Sequence, residues 1–246
     1  AFDPQKIKAD SLYNLDLDIH TGDIRKISPS ARFILFDACF NGSFYEKDYV
    51  TGSYIFNKGT TLVTQGNTVN TIQDKWPDEF LGLLNAGMRI GEWHRHVAFL
   101  ETHLIGDPTY HFAATDNIKY NINEASAFRE NDVTFWQSQL SSPYPDIQAL
   151  ALRKLSKAKV QGISDLLRQT YFNSPYMVVR LEAFRLLTHF MDNNYVKVLK
   201  AALFDSYELT RRFATDYAAD YGSDDLIPEI AKAIVTNYTD TRLAFN

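Results

Sequence analysis

Residues 32–42 read Arg-Phe-Ile-Leu-Phe-Asp-Ala-Cys-Phe-Asn-Gly, and the fold turns on how this stretch is placed. An apolar run with β-branched and aromatic members, followed by small residues and Asn41-Gly42, predicts a buried strand that delivers a side chain to its C-terminal edge. That side chain is Cys39, the one cysteine in 246 residues, so it has no disulfide partner in this chain. Taken alone, a lone cysteine after an apolar strand is a small core residue, because free cysteine is among the most buried side chains.

Working outward, Thr60–Thr64 predicts a second buried strand, ended by Gln65-Gly66-Asn67, residues that tolerate tight turns. Asp78–His94 has Phe80, Leu83, Leu84 and Met88 at helical spacing, with Pro77 in the first turn, and predicts one amphipathic helix. His103–Ile105 predicts a short strand that stops at Gly106-Asp107-Pro108, where Asp107 bonds its own backbone; a polar link follows through Asn117–Ser126. Upstream, residues 1–21 read as loop with one edge strand, and Asp23–Ile27 as a short helix capped by Thr21 or Asp23 and stopped by Ser28-Pro29. Strands alternating with helices imply a mostly parallel α/β layer with its functional residues at the C-terminal strand ends, where Cys39 and Gly66-Asn67 fall together.

From Val133 the pattern changes. Ser142-Pro143-Tyr144, Ser174-Pro175-Tyr176 and Ser206-Tyr207 recur 32 residues apart, at 142, 174 and 206. Each opens an amphipathic stretch (Ile147–Leu155, Val178–Phe190, Leu209–Tyr221) followed by a second apolar helix (Val160–Tyr171, Tyr195–Phe204, Leu226–Tyr238). A helical hairpin of this kind cannot bury its apolar face alone, so three of them are expected to stack. The domain boundary is expected near Asn131, dividing the chain into residues 1–130 and 131–246.

A length of 246 residues allows one large or two ordinary domains, and 45% hydrophobic with 22% charged residues is the composition of a soluble globular protein. A net charge of −5 with scattered basic residues argues against a nucleic-acid partner. No stretch approaches the ~18 uninterrupted apolar residues of a membrane span. Signal-peptide features are absent, and a chain that begins Ala1-Phe2 rather than with Met is read as having lost an N-terminal segment. His94 and His96, two apart and without cysteine or carboxylate partners nearby, make a poor metal site; they suit a helix C-terminus instead. No metal and no cofactor is expected.

Asp37-Ala38-Cys39-Phe40-Asn41-Gly42-Ser43-Phe44 resembles the nucleophile strand of the caspase-like cysteine peptidases, and more closely their gingipain-like branch. Leu104-Ile105-Gly106-Asp107-Pro108-Thr109-Tyr110 resembles the segment that closes the peptidase domain in that branch, and Gly59–Asn67 the strand and substrate-side loop after the nucleophile. The resemblance covers roughly residues 22 to 112. It implies an α/β plus all-α chain: a partial caspase-like sheet with flanking helices, its N-terminal strands missing, then hairpins that are similar to HEAT repeats. The Arg180 and Arg211 or Arg212 positions fit the HEAT habit of an early arginine, and Gln148 departs from it.

By the same resemblance Cys39 is the nucleophile and its backbone N–H an oxyanion donor, while Gly66, Asn67 and Thr68 line the cleft for a protein or peptide substrate. Attack at neutral pH needs a base, since a free thiol has a pKa of ~8.5. The family's base is a His-Gly on the strand before the nucleophile, together with the second oxyanion donor. Here the upstream candidate is His20, 19 residues before Cys39 and followed by Thr21-Gly22, so the His-Gly is expected on an N-terminal segment or separate chain of the same precursor. The resemblance also implies a secreted or cell-surface bacterial protein. The alternative reading is a non-catalytic scaffold, a relic peptidase layer whose repeats bind a protein partner.

Overall fold

The computed structural model describes residues 3–17, 19–71, 76, 78–115 and 117–236. They form two compact units: residues up to 72 join with Arg89–His111, and residues 73–88 join with everything from Phe112 onward. The division expected near Asn131 therefore differs from the compact units, because 78–88 and 117–130 group with the helices rather than with the sheet.

In chain order the first half contains α1 (Pro4–Leu17), α2 (Thr21–Ile24), β1 (Phe33–Leu35), α3 (Val50–Ile55), β2 (Val63–Asn67), α4 (Gly82–Asn85), α5 (Ile90–Val97) and β3 (Thr102–Gly106), of which α4 belongs to the second unit. The sheet order is β1-β2-β3. β1 and β2 are parallel, with Phe33 opposite Val63, whereas β2 and β3 are antiparallel, with Gly66 opposite His103. The sheet is thus mixed where a mostly parallel one was expected. Strand alternation puts Phe33, Val63, Gln65 and Leu104 on one face and Ile34, Thr64, Gly66 and His103 on the other. Against the first face lies α5, with the Trp93 ring edge-on to Phe33 at 5.7 Å. Against the second lies α3, whose Thr51 methyl would be 2.5 Å from a Cβ built on Gly66.

Several boundaries differ from the sequence reading, each for a local reason. Residues 4–17 are helix rather than loop and edge strand, because Asp3-Pro4 is a start signal: the Asp3 carboxylate accepts from the Gln5 N–H at 2.9 Å and Pro4 fills the first turn. α2 begins right after His20, with the Asp23 carboxylate accepting from the His20 N–H at 3.2 Å. β1 is short and half-buried rather than a buried run to Gly42. β2 starts at Val63 and contains Gln65-Gly66-Asn67 instead of ending before them, and all five of its residues are buried. The helix expected over Asp78–His94 is two short helices in different units, with Gly87 at φ 79° between them; Pro77 lies outside the described residues. Within the expected link Asn117–Ser126, α6 (Ile122–Phe128) forms, its N-terminal amides of Asn123 and Glu124 accepted by the Asn121 side chain.

The remaining elements are α7 (Val133–Gln139), α8 (Pro145–Lys157), α9 (Ile163–Asn173), α10 (Met177–Leu187), α11 (Asn193–Ala202), α12 (Glu208–Tyr221) and α13 (Ile227–Thr236), so both helices of each expected hairpin are present. Their core holds Leu150, Leu181, Phe184, Tyr195 and Leu199, all fully buried. Each hairpin opens alike. The Tyr144 and Tyr176 N–H groups donate to Ser142 and Ser174 Oγ at 3.2 Å, and Tyr207 N–H to Asp205 Oδ1 at 2.8 Å. Six residues on, Gln148, Arg180 and Arg211 reach back to the carbonyls of Ser142, Ser174 and Asp205. Gln148 therefore does the arginine's work in the first hairpin. In the third, Asp205 rather than Ser206 is the repeat's opening residue.

Candidate functional site

The site is built where β1 and β2 end side by side. After Leu35 the chain leaves the regular ladder but stays tied to its neighbour: Phe36 N–H donates to Gln65 O (2.9 Å), Phe40 N–H to Val69 O (3.2 Å) and Gly42 N–H to Asn67 O (2.8 Å). Two asparagines lock the turn between these bonds. Asn41 donates from Nδ2 to Ala38 O (2.6 Å) and accepts the Asn67 N–H at Oδ1 (2.8 Å); Asn67 Nδ2 donates to Phe36 O (3.2 Å) and Ala38 O (3.1 Å). Gly42 and Gly66 meet backbone to backbone, since a Cβ on Gly42 would lie 2.7 Å from the Gly66 carbonyl carbon. Only glycine permits that approach.

Cys39 sits on top of this turn and is exposed, not buried in the core. Its Sγ accepts the Thr71 N–H at 3.2 Å. The next residue, Phe40, has φ 56°, a left-handed conformation that a bulky side chain adopts only where its surroundings impose it. Gly66 and Asn67 are buried beneath the turn and support it, so their place is below the surface rather than along an open cleft. Thr68 is half-buried beside Cys39's turn, and its carbonyl is already taken by Ser43 Oγ (3.3 Å) and Tyr45 OH (3.2 Å). The surface next to the thiol is thus made by Thr68–Thr71.

His20 stands before α2 with its N–H capped, and no hydrogen bond joins it to Cys39 among the described residues. Two other imidazoles belong to the sheet. His103 lies opposite Gly66, on the face that carries α3, and its ring meets Phe44 edge-on at 5.0 Å. Its Nε2 is buried without a hydrogen-bond partner. His94 lies on the other face with Nδ1 2.9 Å from Gln65 Oε1. Burial holds both imidazoles below their ordinary range, and the neighbouring His103 adds to the effect on His94, while Glu101 opposes it on His103. Neutral imidazoles are the form that accepts a proton. Sequence reading assigns His94 a helix-end role and His103 none, since only the strand register puts His103 across from Gly66.

Asp107 caps its own turn, accepting the Thr109 N–H at 2.8 Å and hydroxyl at 2.6 Å, which also hold its carboxyl below the usual range. Among the described residues no cluster of three or more His, Cys, Asp or Glu forms a metal site, and no helix is long and apolar enough to cross a membrane. Neither a family model, nor a curated protein, nor a solved structure shows significant similarity to the chain.

Proposed function

We propose that the chain is the nucleophile-bearing part of a gingipain-like cysteine peptidase, a secreted or cell-surface enzyme with HEAT-like repeats appended. The observation that carries this reading is the exposed Cys39 on a conformationally constrained turn at the C-terminal end of a parallel strand pair, with a backbone N–H aimed at its sulfur. A turn whose carbonyls and amides are consumed by Asn41 and Asn67 fixes the thiol's position before any substrate arrives, which is the condition for nucleophilic catalysis. In the reaction the thiolate adds to the scissile carbonyl, and the C–N bond breaks as the amine leaves with the proton held by an imidazole. Water then hydrolyses the thioester, returning the thiol and a carboxylate. In the gingipain-like family the base is a histidine followed by a glycine, and within this chain the upstream candidate is His20.

The alternative, a non-catalytic scaffold, is favoured by one observation: among the described residues no imidazole is hydrogen-bonded to Cys39. The pH dependence of Cys39 alkylation by iodoacetamide decides between the two. A thiol that reacts fast well below the ~8.5 of an ordinary cysteine supports the peptidase; one that reacts only at or above that value supports the scaffold.

A further inference from the structure

The three hairpins superpose in sequence from one landmark. Each first helix is followed by a left-handed residue, Lys159, Met191 and Gly222, at φ 51°, 50° and 61°. Five residues beyond it stand Ser164, Val196 and Ile227, and twelve beyond it Tyr171, Leu203 and Ile234, on the second helices α9, α11 and α13.

In the first hairpin both positions face the hairpin that follows. Ser164 Oγ donates at 2.6 Å to Oδ2 of Asp192, the residue that caps α11. Tyr171 holds its ring 6.3 Å from that of Phe184 in α10 and donates its hydroxyl to Asp205 Oδ2 at 2.9 Å. Both α10 and α11 pack on α9, and α12 packs on α11. Tyr171 is accordingly 4% exposed and Leu203 0%. In the third hairpin the same positions are open: Ile227 is 58% exposed and Ile234 67%, with Val235 beside it at 74%.

The rest of α13 is seated on α11. Lys200 pairs with Glu229 at 3.7 Å, and Lys232 Nζ lies 4.9 Å from the Phe204 ring centroid. The opposite end of the array is closed, since α7 covers α8 with Trp136 1% exposed and Lys154 Nζ 5.8 Å from its ring centroid. A solenoid ends on a polar outer face, and a helix that instead offers isoleucines seven residues apart carries the seam used between repeats.

We propose that the open side of α13 is a docking surface for a helical hairpin of the repeat's own pattern, carried by a partner protein. What covers the equivalent residues defines that partner: an amphipathic helix that sets an aromatic ring on the twelfth position, as Phe184 does on Tyr171, and a second helix whose cap reaches the fifth, as Asp192 does for Ser164. A second copy of the chain is a poorer fit, because the hairpin that opens its array already lies under α7. This inference concerns the helical unit alone and stands whether or not Cys39 is a nucleophile.

The experiment uses the full chain and a fluorescein-labelled peptide spanning residues 174–204, the hairpin that covers Ser164 and Tyr171, read by anisotropy. Wild type is expected to bind it, Ile234→Glu to bind it at least ~10-fold more weakly, and the same peptide carrying Phe184→Asp to bind neither. The proposal is overturned if wild type leaves the anisotropy unchanged, if Ile234→Glu binds as tightly as wild type, or if both peptides bind equally. Sedimentation of the chain alone tests the other occupant: a dimer that Ile234→Glu splits assigns the face to a second copy and overturns the proposal as well. Should Ile234→Glu lose its helical circular dichroism, Val235→Glu takes its place and the same outcomes apply.

Discussion

The two units bury different things. The helical unit is filled by Leu, Phe and Tyr side chains, and its few buried charges, Glu79, Glu182, Lys154 and Arg212, face other polar groups. Around the three-stranded sheet the buried set is instead rich in small polar groups: Asn41, Ser43, Thr51, Ser53, Thr61, Thr64, Gln65 and Asn67. Apolar packing resists a lost methyl group by collapsing, whereas a network of asparagine amides and backbone carbonyls has one geometry or none. The first kind of interior supplies stability. The second kind specifies where one atom, here Cys39 Sγ, must stand.

The contrast can be broken or sharpened by experiment. The largest effect is expected from Phe184→Ala: its ring is fully buried and contacts those of Tyr171, Tyr195 and Tyr217, at centroid distances of 6.3, 6.4 and 5.4 Å. Denaturant unfolding followed by helical circular dichroism should show a loss of ~3–5 kcal/mol. An unchanged midpoint would mean that the rings are not the core of that unit.

Next comes Asp205→Asn. Burial alone would raise the Asp205 carboxyl, but hydrogen bonds from Arg180, the Tyr207 N–H and Tyr171 outweigh it and hold it below the ordinary range. A carboxyl depressed in the folded state contributes stability that is present above its unfolded pKa and disappears as pH falls through the folded one. The variant should cost ~1.5–3 kcal/mol at neutral pH, a difference from wild type that closes below pH ~4. A gap of equal size at pH 7 and pH 3 would contradict the assignment.

Gly42→Ala tests the polar unit. Its Cβ would meet the Gly66 and Asn67 backbone at 2.7 and 2.9 Å, so the turn must move, at a cost of ~1–3 kcal/mol. The sharper readout is chemical: the alkylation rate of Cys39 should change in this variant while it stays at the wild-type value in Phe184→Ala under folding conditions. Equal rates in all three proteins would dissolve the distinction between the units.

The smallest effect concerns His94. Its imidazole is depressed on folding, so the unfolded chain takes up the proton first and stability falls as pH drops below ~6.5. Wild type should show that decline and His94→Gln should show less of it. Parallel stability curves for the two would rule out the buried imidazole as its source.

The helical hairpins were legible because Ser-Pro-Tyr marks the first two starts, Ser206-Tyr207 the third, and apolar spacing marks each face. Even Gln148, which departs from the arginine pattern, reaches the same carbonyl as Arg180 and Arg211. The sheet was less legible. Gly66 carries two readings, turn or close contact, and only the approach of Gly42 selects the second. Phe80, Leu83, Leu84 and Met88 are buried as their spacing suggests, yet periodicity reports burial and not backbone angle, so it passed over the left-handed Phe80 and Gly87 that prevent one long helix. That Cys39 follows an apolar strand was legible, but not that the strand stops at Leu35 and leaves the thiol on a turn. The asparagine lattice beneath it was not, because hydrogen bonds across 26 to 31 residues leave no local pattern.

Glu79 is held by Arg153 of α8 and Arg185 of α10, and that anchoring bears on how the chain is made. Its two arginines lie 74 and 106 residues further along, so on a ribosome Trp76, Glu79 and Phe80 emerge long before α8, α10 and α12 exist to receive them. β3, which pairs with β2, is likewise synthesised only after that segment has passed. The sheet-bearing unit has all its residues once His111 is made, whereas the helical unit cannot be completed by a nascent chain that stops before α10, because Arg185 is not yet there to hold Glu79.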